Sequence, residues 1–221
     1  MYPQTQTASA GTAGRQLLKT AAILLLWVAI LLLALWFIQR DALRYFSMDE
    51  TIFGRFWAHR LWLVTHIVGG LLALLMGPFQ FWSGLRRRAL SFHRWTGRLY
   101  LAGVVLAAVP TFHLVFYIPP SDGGWVAGSS LVTLALVWLA SSAMALRSIL
   151  NGQVEIHKEW MIRSYVLAFS FVNFRWWMDW PVFANAGTFA ERLTAVVWLG
   201  WTVPLFLTEV ILQWRRTGRM A

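Results

Sequence analysis

The stretch Leu61–Trp82, which reads LWLVTHIVGGLLALLMGPFQFW, decides the fold class of this chain. An α-helix rises about 1.5 Å per residue, so a mostly apolar run of this length crosses the roughly 30 Å of hydrocarbon in a bilayer. Four further stretches have the same character: Ala21–Ile38, Leu99–Ile118, Trp125–Ile149 and Leu193–Leu212. We therefore predict an all-α, polytopic membrane protein.

A sixth span is predicted at Met161–Trp180, although polar residues interrupt it. Its centre is largely apolar, and the interruptions are Arg163, Asn173, Arg175 and Asp179. Six spans leave only short loops. The sequence therefore predicts one transmembrane domain over residues 21–213, between an N-terminal tail at 1–20 and a C-terminal tail at 214–221.

Composition supports this class and excludes others. The 221 residues are 58% hydrophobic and only 13% charged, and the mean hydropathy is +0.57. A water-soluble domain needs more polar surface than this. The chain has no cysteine, which excludes disulfides, thiolate metal sites and thiol catalysis.

The formal charge of +10 is distributed unevenly over the loops. Most Lys and Arg fall on the side of the Arg86–Arg98 loop, which the positive-inside rule assigns to the cytoplasm. Both termini are then expected in the cytoplasm. The same basic residues are expected to contact anionic lipid headgroups. Nucleic-acid binding is not expected, because these residues flank spans instead of forming one patch.

Three motifs carry a family resemblance. They are Gly77–Phe81 (GPFQF), His93–Tyr100 (HRWTGRLY) and His157–Tyr165 (HKEWMIRSY), the last followed by Arg175. In order and spacing they resemble the bacterial membrane family known as domain of unknown function 2306. The resemblance implies a membrane fold, in the inner membrane of a bacterium, and supplies no activity. Lys158 stands where the family pattern suggests Arg.

The second and third motifs also resemble each other. Each runs His, a basic residue, Trp, Arg, and then Tyr two residues after the Arg, at the predicted cytoplasmic entry to a span. This echo predicts duplicated helical hairpins in which spans two and three correspond to spans four and five. Chance similarity over so short a motif is the alternative.

Two histidines lie at one predicted depth near the outer side. His66 and His113 each follow about five residues inside a span end, which places them about 7.5 Å into the membrane. His66 shares a helical face with Gly70, Ala73 and Gly77, so it is expected to face protein. Such a pair could bind the iron of a b-type haem or pass protons. Two structural alternatives stay open: His66 pairs with Arg175, Asn173 or Asp179, or each imidazole forms a hydrogen bond with a backbone carbonyl.

A second polar layer is predicted at the inner side. Beside the basic residues, His93 and His157 could hold a second haem or contact phospholipid headgroups. Glu209 needs a partner at its depth, and Arg163 or His157 is the expected one. An inner polar pocket and a set of ordinary interface contacts both remain open for the residues of this layer: Gln80, His93, Arg98, His157, Arg163 and Glu209.

Arg175 is the least expected charge in the spans. Its helical face predicts an interior orientation, with either Asp179 or an anionic group such as a haem propionate as its partner.

Two functions follow. The first is electron transfer through a b-type haem, with His66 and His113 as iron ligands and Arg175, His93 and His157 as further cofactor contacts. The alternative is a transporter or lipid-binding accessory subunit whose His/Arg pocket binds an anionic ligand or relays protons. Catalysis is not expected, because the sequence lacks the motifs of phosphate loops, zinc proteases and nucleophile elbows. A redox or membrane protein partner is compatible with both functions.

Overall fold

The structure is a computed structural model that describes residues 7–220, apart from the side chains of residues 7–13, 19, 184 and 218–220. All regular elements within that range are helical. The α-helices in chain order are α1 (Thr7–Phe37), α2 (Glu50–Phe53), α3 (Arg60–Phe81), α4 (Ser83–Arg88), α5 (Leu90–Leu114), α6 (Gly124–Leu150), α7 (Val154–Ala168), α8 (Ser170–Asp179), α9 (Pro181–Ala184) and α10 (Phe189–Met220).

Short π-helical and 3₁₀-helical segments connect several of these helices. A π-helical turn, Ile38–Ala42, extends α1. It is followed by 3₁₀ segments at Leu43–Ser47 and Gly54–His59, and two more lie between α5 and α6 at Val115–Tyr117 and Pro120–Asp122.

Within the described residues, five helical stretches are long and apolar enough to cross a membrane. They are Gly14–Ser47, Glu50–Phe81, Leu90–Tyr117, Gly124–Leu150 and Phe189–Thr217. They coincide with the five clear spans that the sequence predicts. The expected sixth span is not confirmed as one helix. It is divided at Phe169 into α7 and α8, which are 15 and 10 residues long, and each is shorter than the roughly 20 residues that a span needs.

Helices α3 and α5 pack against each other through glycine. A Cβ atom added at Gly69 would lie 2.7 Å from the Gly103 carbonyl oxygen, and one added at Gly103 would lie 2.7 Å from the Ala73 nitrogen. Only residues without a side chain allow two backbones to approach this closely. The pair therefore fixes α3 and α5 as a tight antiparallel hairpin.

Pro78 in α3 leaves one backbone carbonyl without its helical hydrogen bond, and a tyrosine distant in sequence donates to that carbonyl. Proline has no N–H, so the Leu74 carbonyl loses its helical donor. The Tyr165 hydroxyl donates to this oxygen at 3.3 Å. Its ring occupies the space that a side chain at Gly77 would fill. The Gly77–Pro78 motif of α3 and Tyr165 of α7 therefore form one packing contact between the two helices.

Pro204 in α10 repeats the arrangement. The Gly200 carbonyl lies four residues before Pro204 and also loses its helical donor. The Asn173 side-chain amide donates to it at 3.4 Å. Helices α7 and α8 thus supply donors to proline-interrupted helices on two sides, which ties this polar segment into the bundle.

A buried hydroxyl network joins α5, α6 and α7 at the centre. Tyr100 is fully buried, and its hydroxyl shares a hydrogen bond with Ser164 at 2.7 Å. Ser164 is in turn 2.8 Å from Ser142, and the Trp138 indole donates to Tyr100 at 3.5 Å. These polar groups satisfy one another, as groups in an apolar interior must.

We call the end of the bundle that carries the Arg86–Arg98 loop the inner end, following the charge-based prediction. The opposite end is the outer end. The structure contains the α3–α5 and α6–α7 hairpins that a duplication would relate. Their origin by duplication, the membrane orientation and the domain limits stay predictions. Helix α1 begins at Thr7, inside the segment predicted as an N-terminal tail.

Candidate functional site

The outer half of the bundle contains a cavity of about 140 Å³, which we call the outer cavity. Its walls come from the end of α1 and its π turn, the 3₁₀ segment that follows, α3, α5, α6, α7 and α8. The aromatic members of the lining are Phe37, Tyr45, Trp138 and Phe171, and its ionisable members near the rings are His66, Asp41 and Arg175. An apolar pocket with a few convergent polar groups is the usual form of a small-molecule site.

His66 contributes one ring nitrogen to the protein and one to the cavity. Its Nδ1 lies 2.7 Å from the Ala107 carbonyl oxygen and 3.2 Å from the Thr111 hydroxyl. A carbonyl oxygen only accepts, so Nδ1 carries the hydrogen. None of the described residues forms a hydrogen bond with Nε2, and His66 lines both the outer cavity and a smaller pocket beside it. With the hydrogen on Nδ1, Nε2 of the neutral imidazole is an acceptor.

Asp41 enters the cavity from the π-helical turn at the end of α1. A π turn inserts an extra residue into a helix, is rare, and is frequently found at functional sites. The Asp41 side chain is 9% exposed. Its Oδ1 lies 3.6 Å from the Arg175 Nε, and its Oδ2 has no hydrogen-bond partner among the described residues. A buried carboxylate oxygen without a donor is uncommon and calls for a physical explanation.

Arg175 lines the outer cavity with 38% of its side chain exposed. It pairs with Asp41 of the π turn, not with the acid of its own helix. The sequence suggested Asp179 or an anionic group as its partner. Asp179 instead accepts hydrogen bonds from Arg40, which neighbours Asp41 in the π turn. Two crossed ion pairs therefore join the end of α1 to α8, one turn apart.

His113 does not line the outer cavity. Its Nε2 lies 3.1 Å from the His59 Nδ1, and its ring packs against Trp62 and Tyr117. The structure therefore gives His66 and His113 different surroundings. Haem ligation by this pair stays a prediction, and a Soret band in the purified protein would test it.

The volume of the cavity indicates the size of a suitable ligand. A protein cavity of about 150 Å³ holds one benzene ring. A porphyrin is several times larger. The outer cavity therefore fits a single six-membered ring in its present shape.

A comparison with protein families matches residues 63–212 to the family described as "Predicted membrane protein (DUF2306)". The match covers more than half of the chain. The chain belongs to this family. Neither the curated proteins nor the solved structures contain a match to it. The matched region includes His66 and Arg175 of the DUF2306 protein, while Asp41 lies outside it.

At the inner end of this DUF2306 protein, two of the predicted pocket residues pair with each other. Arg163 donates to Glu209 through two nitrogens, with Nη2 at 2.9 Å from Oε2. Arg163 was one of the two companions expected for Glu209. Glu159 lies 3.8 Å from Arg163 and also pairs with Arg216. The bidentate geometry of the Arg163–Glu209 contact is typical of a strong ion pair.

The other inner residues contact separate neighbours. Gln80 donates to Thr96 at 2.8 Å, and the Arg98 guanidinium lies over the Trp95 ring at 4.9 Å. His157 Nδ1 lies 2.8 Å from the Ala145 carbonyl oxygen, and His93 Nδ1 is buried without a partner in the described chain. These contacts favour the interpretation of this layer as ordinary interface packing; an inner pocket or a second haem stays a prediction.

Sequence reasoning missed Asp41 as a site residue. The available signal was a charged Arg-Asp pair directly after the first apolar span. An acid at a span end usually faces water, and the sequence does not reveal a π turn. Only the structure shows that the turn directs Asp41 inward.

Proposed function

We propose that this membrane protein binds a small, largely apolar molecule in the outer cavity, with His66 and Asp41 contacting the polar part of the ligand. The observation that carries this proposal is a one-ring cavity lined by His66 and Asp41. The Asp41 Oδ2 atom is buried without a hydrogen-bond partner among the described residues, and His66 Nε2 is an acceptor that no described residue contacts through a hydrogen bond. Polar groups at membrane depth that lack partners are costly and are usually functional.

The cavity itself supports a binding function over a purely structural role. Protein interiors are close-packed, so a partly open recess of this size within the bundle is uncommon. It adjoins a π turn, a feature that is frequent at functional sites. A ligand in the recess would give its lining residues further contacts.

The charges around the cavity favour a neutral ligand over an anion. Arg175 is the cation of this site, and Asp41 lies within ion-pair distance of it. The pair is neutral overall, so an anionic ligand would add an unbalanced charge in a medium of low dielectric constant. This modifies the ligand-binding alternative drawn from the sequence, which invoked an anionic ligand.

The test is an isothermal titration calorimetry experiment in which hexylbenzene is titrated into the purified protein in detergent. Gly70 lines the cavity, and a Cβ added there meets no atom within 4 Å. Gly70→Leu should therefore fill the cavity and abolish saturable binding. Gly14→Leu is the matched control, because a Cβ at Gly14 also meets open space and this glycine is not in the cavity lining.

Equal binding by the wild-type protein, Gly70→Leu and Gly14→Leu would show that hexylbenzene only partitions into detergent. That result would overturn the proposal. Circular dichroism confirms that each variant is folded, and Gly70→Val provides a smaller substitution at the same place.

A further inference from the structure

We infer that the ligand is an aromatic ring bearing hydroxyl groups, of the hydroquinone class, rather than a quinone or an unsubstituted ring. This inference rests on the proposed function and concerns the chemistry of the same cavity. It follows from the hydrogen-bonding character of the polar atoms in the wall and from the aromatic side chains beside them.

The first polar atom, His66 Nε2, calls for a donor. The Nδ1 hydrogen is already committed to the Ala107 carbonyl oxygen at 2.7 Å. The Thr111 hydroxyl donates to the same oxygen at 3.0 Å, so it accepts from Nδ1 and holds the ring in this tautomer. A hydroxyl group on a ligand can donate to Nε2, whereas a carbonyl oxygen cannot.

The second polar atom, Asp41 Oδ2, also calls for a donor. An ionised carboxylate only accepts hydrogen bonds. Oδ1 lies near Arg175, and Oδ2 is the oxygen left without a partner. A second hydroxyl group on the ligand would supply it. Two acceptors in one small cavity are complementary to a ligand with two donors.

The wall of the cavity suits an aromatic body. Phe37, Tyr45, Trp138 and Phe171 surround the space. The Phe171 ring already packs edge-on against His66, with 5.3 Å between centroids. Aromatic rings attract one another in this geometry. A single hydroxylated ring fits the volume of about 140 Å³, with an apolar tail reaching the bilayer.

The oxidised form of such a ligand fits less well. A quinone presents two carbonyl oxygens, which would face His66 Nε2 and Asp41 Oδ2 without a shared hydrogen. Arg175 and the Tyr45 hydroxyl also line the cavity and can donate, but a carbonyl oxygen placed against His66 Nε2 or Asp41 Oδ2 meets an acceptor and forms no hydrogen bond there. The site is therefore expected to prefer the reduced, hydroxyl-bearing form.

The experiment compares three probes with the same tail: 2-hexylhydroquinone, 2-hexyl-1,4-benzoquinone and hexylbenzene. Each is titrated into the wild-type protein by calorimetry under nitrogen, with Gly70→Leu as the blank. An ordinary hydrogen bond corresponds to about fivefold in Kd. The hydroquinone should therefore bind at least about fivefold more tightly than hexylbenzene, and the quinone should bind no better than hexylbenzene.

The variant His66→Leu tests the role of Nε2 directly. It should remove most of the preference for the hydroquinone over hexylbenzene and leave the Kd of hexylbenzene within about twofold. His113→Leu is the matched control, because His113 lies near the same outer end but not in the cavity wall. The full preference should remain in that variant.

The outcomes separate the two proposals. If all three probes bind equally and Gly70→Leu abolishes binding, the cavity is a ligand site and the hydroquinone inference is wrong. Tighter binding of the quinone would also overturn the inference. If no probe binds above the Gly70→Leu blank, the proposed function is itself contradicted. An unchanged hydroquinone preference in His66→Leu would remove His66 from the site and overturn the inference.

Discussion

Two side chains, Tyr165 and Asn173, donate hydrogen bonds to backbone carbonyls that proline leaves without helical partners. Tyr165 donates to the Leu74 oxygen and Asn173 donates to the Gly200 oxygen. Leu74 also lines the outer cavity. The hydrogen bond from Tyr165 therefore stabilises one wall of the candidate site as well as the interrupted helix.

Tyr165→Phe is expected to destabilise the protein by about 1–3 kcal/mol, the usual cost of a buried acceptor left without a donor. The free energy of unfolding can be measured by titration with sodium dodecyl sulfate in mixed micelles. Tyr117→Phe is the matched control, since Tyr117 contacts His59 through its ring. Equal stability of both variants would show that the Leu74 carbonyl does not depend on Tyr165.

The two crossed ion pairs at the outer end should differ in strength. The Asp41 side chain is 9% exposed, whereas that of Asp179 is 43% exposed. Arg175→Met leaves a buried carboxylate unpaired and should cost about 1–3 kcal/mol. Arg40→Met removes an exposed pair and should cost less than about 1 kcal/mol.

The same unfolding titration measures both losses. Adding Asp41→Asn to Arg175→Met should recover part of the stability, because the unpaired charge is then removed. An equal cost for Arg40→Met and Arg175→Met would contradict the assignment of Asp41 as a buried acid.

Within helix α3, the adjacent glycines Gly69 and Gly70 have opposite roles. Gly69 lies against α5, where an added Cβ would come 2.7 Å from the Gly103 oxygen, while an added Cβ at Gly70 meets open space. Gly69 therefore sets the spacing between α3 and α5. Gly70 keeps the outer cavity open.

Gly69→Ala is expected to destabilise the protein by about 1–3 kcal/mol, because overpacking forces the two backbones apart. Gly70→Ala should instead be neutral or stabilising by up to about 1 kcal/mol, since alanine favours the helix. Unfolding titrations of the two variants give the comparison. A larger loss for Gly70→Ala than for Gly69→Ala would contradict the packing described for α3 and α5.

The sequence predicted the long apolar helices and the inward face of His66, because both follow from length and from helical periodicity. It did not predict which residues share a cavity. His113 follows Thr111 by two residues, which turns it by about 200° around α5, so Thr111 contacts His66 and His113 contacts His59. Depth can be counted from sequence, whereas the rotation of a helix against its neighbours depends on tertiary packing.

The division of the sixth span at Phe169 has consequences at the scale of the whole molecule. Helix α7 begins beside the end of α6, where His157 contacts the Ala145 carbonyl. Helix α8 ends at Asp179, beside Arg40 at the outer end of α1. The two short helices together therefore connect the inner and outer ends of the bundle. Ion pairs hold them to other helices at both ends, through Arg163 with Glu209 and through Asp179 with Arg40.

This arrangement predicts that both termini lie on the side of the Arg86–Arg98 loop, the cytoplasmic side by the distribution of charge. The chain has no cysteine, so single cysteines can be introduced without a background. Cysteines at Ser91 and Thr217 should resist a membrane-impermeant maleimide in intact cells, and a cysteine at Ser121 should react. Labelling of Ser91Cys in intact cells would contradict this topology.

The central claim is that the outer cavity is a ligand site, and the most direct measurement locates a ring in it. Crystals of the protein soaked with bromobenzene should give one anomalous peak bounded by His66, Gly70, Trp138 and Phe171. The same experiment on Gly70→Leu should give no peak there, because the leucine fills the space. A wild-type crystal with an empty cavity, or with bromine only on the lipid-facing surface, would contradict the account.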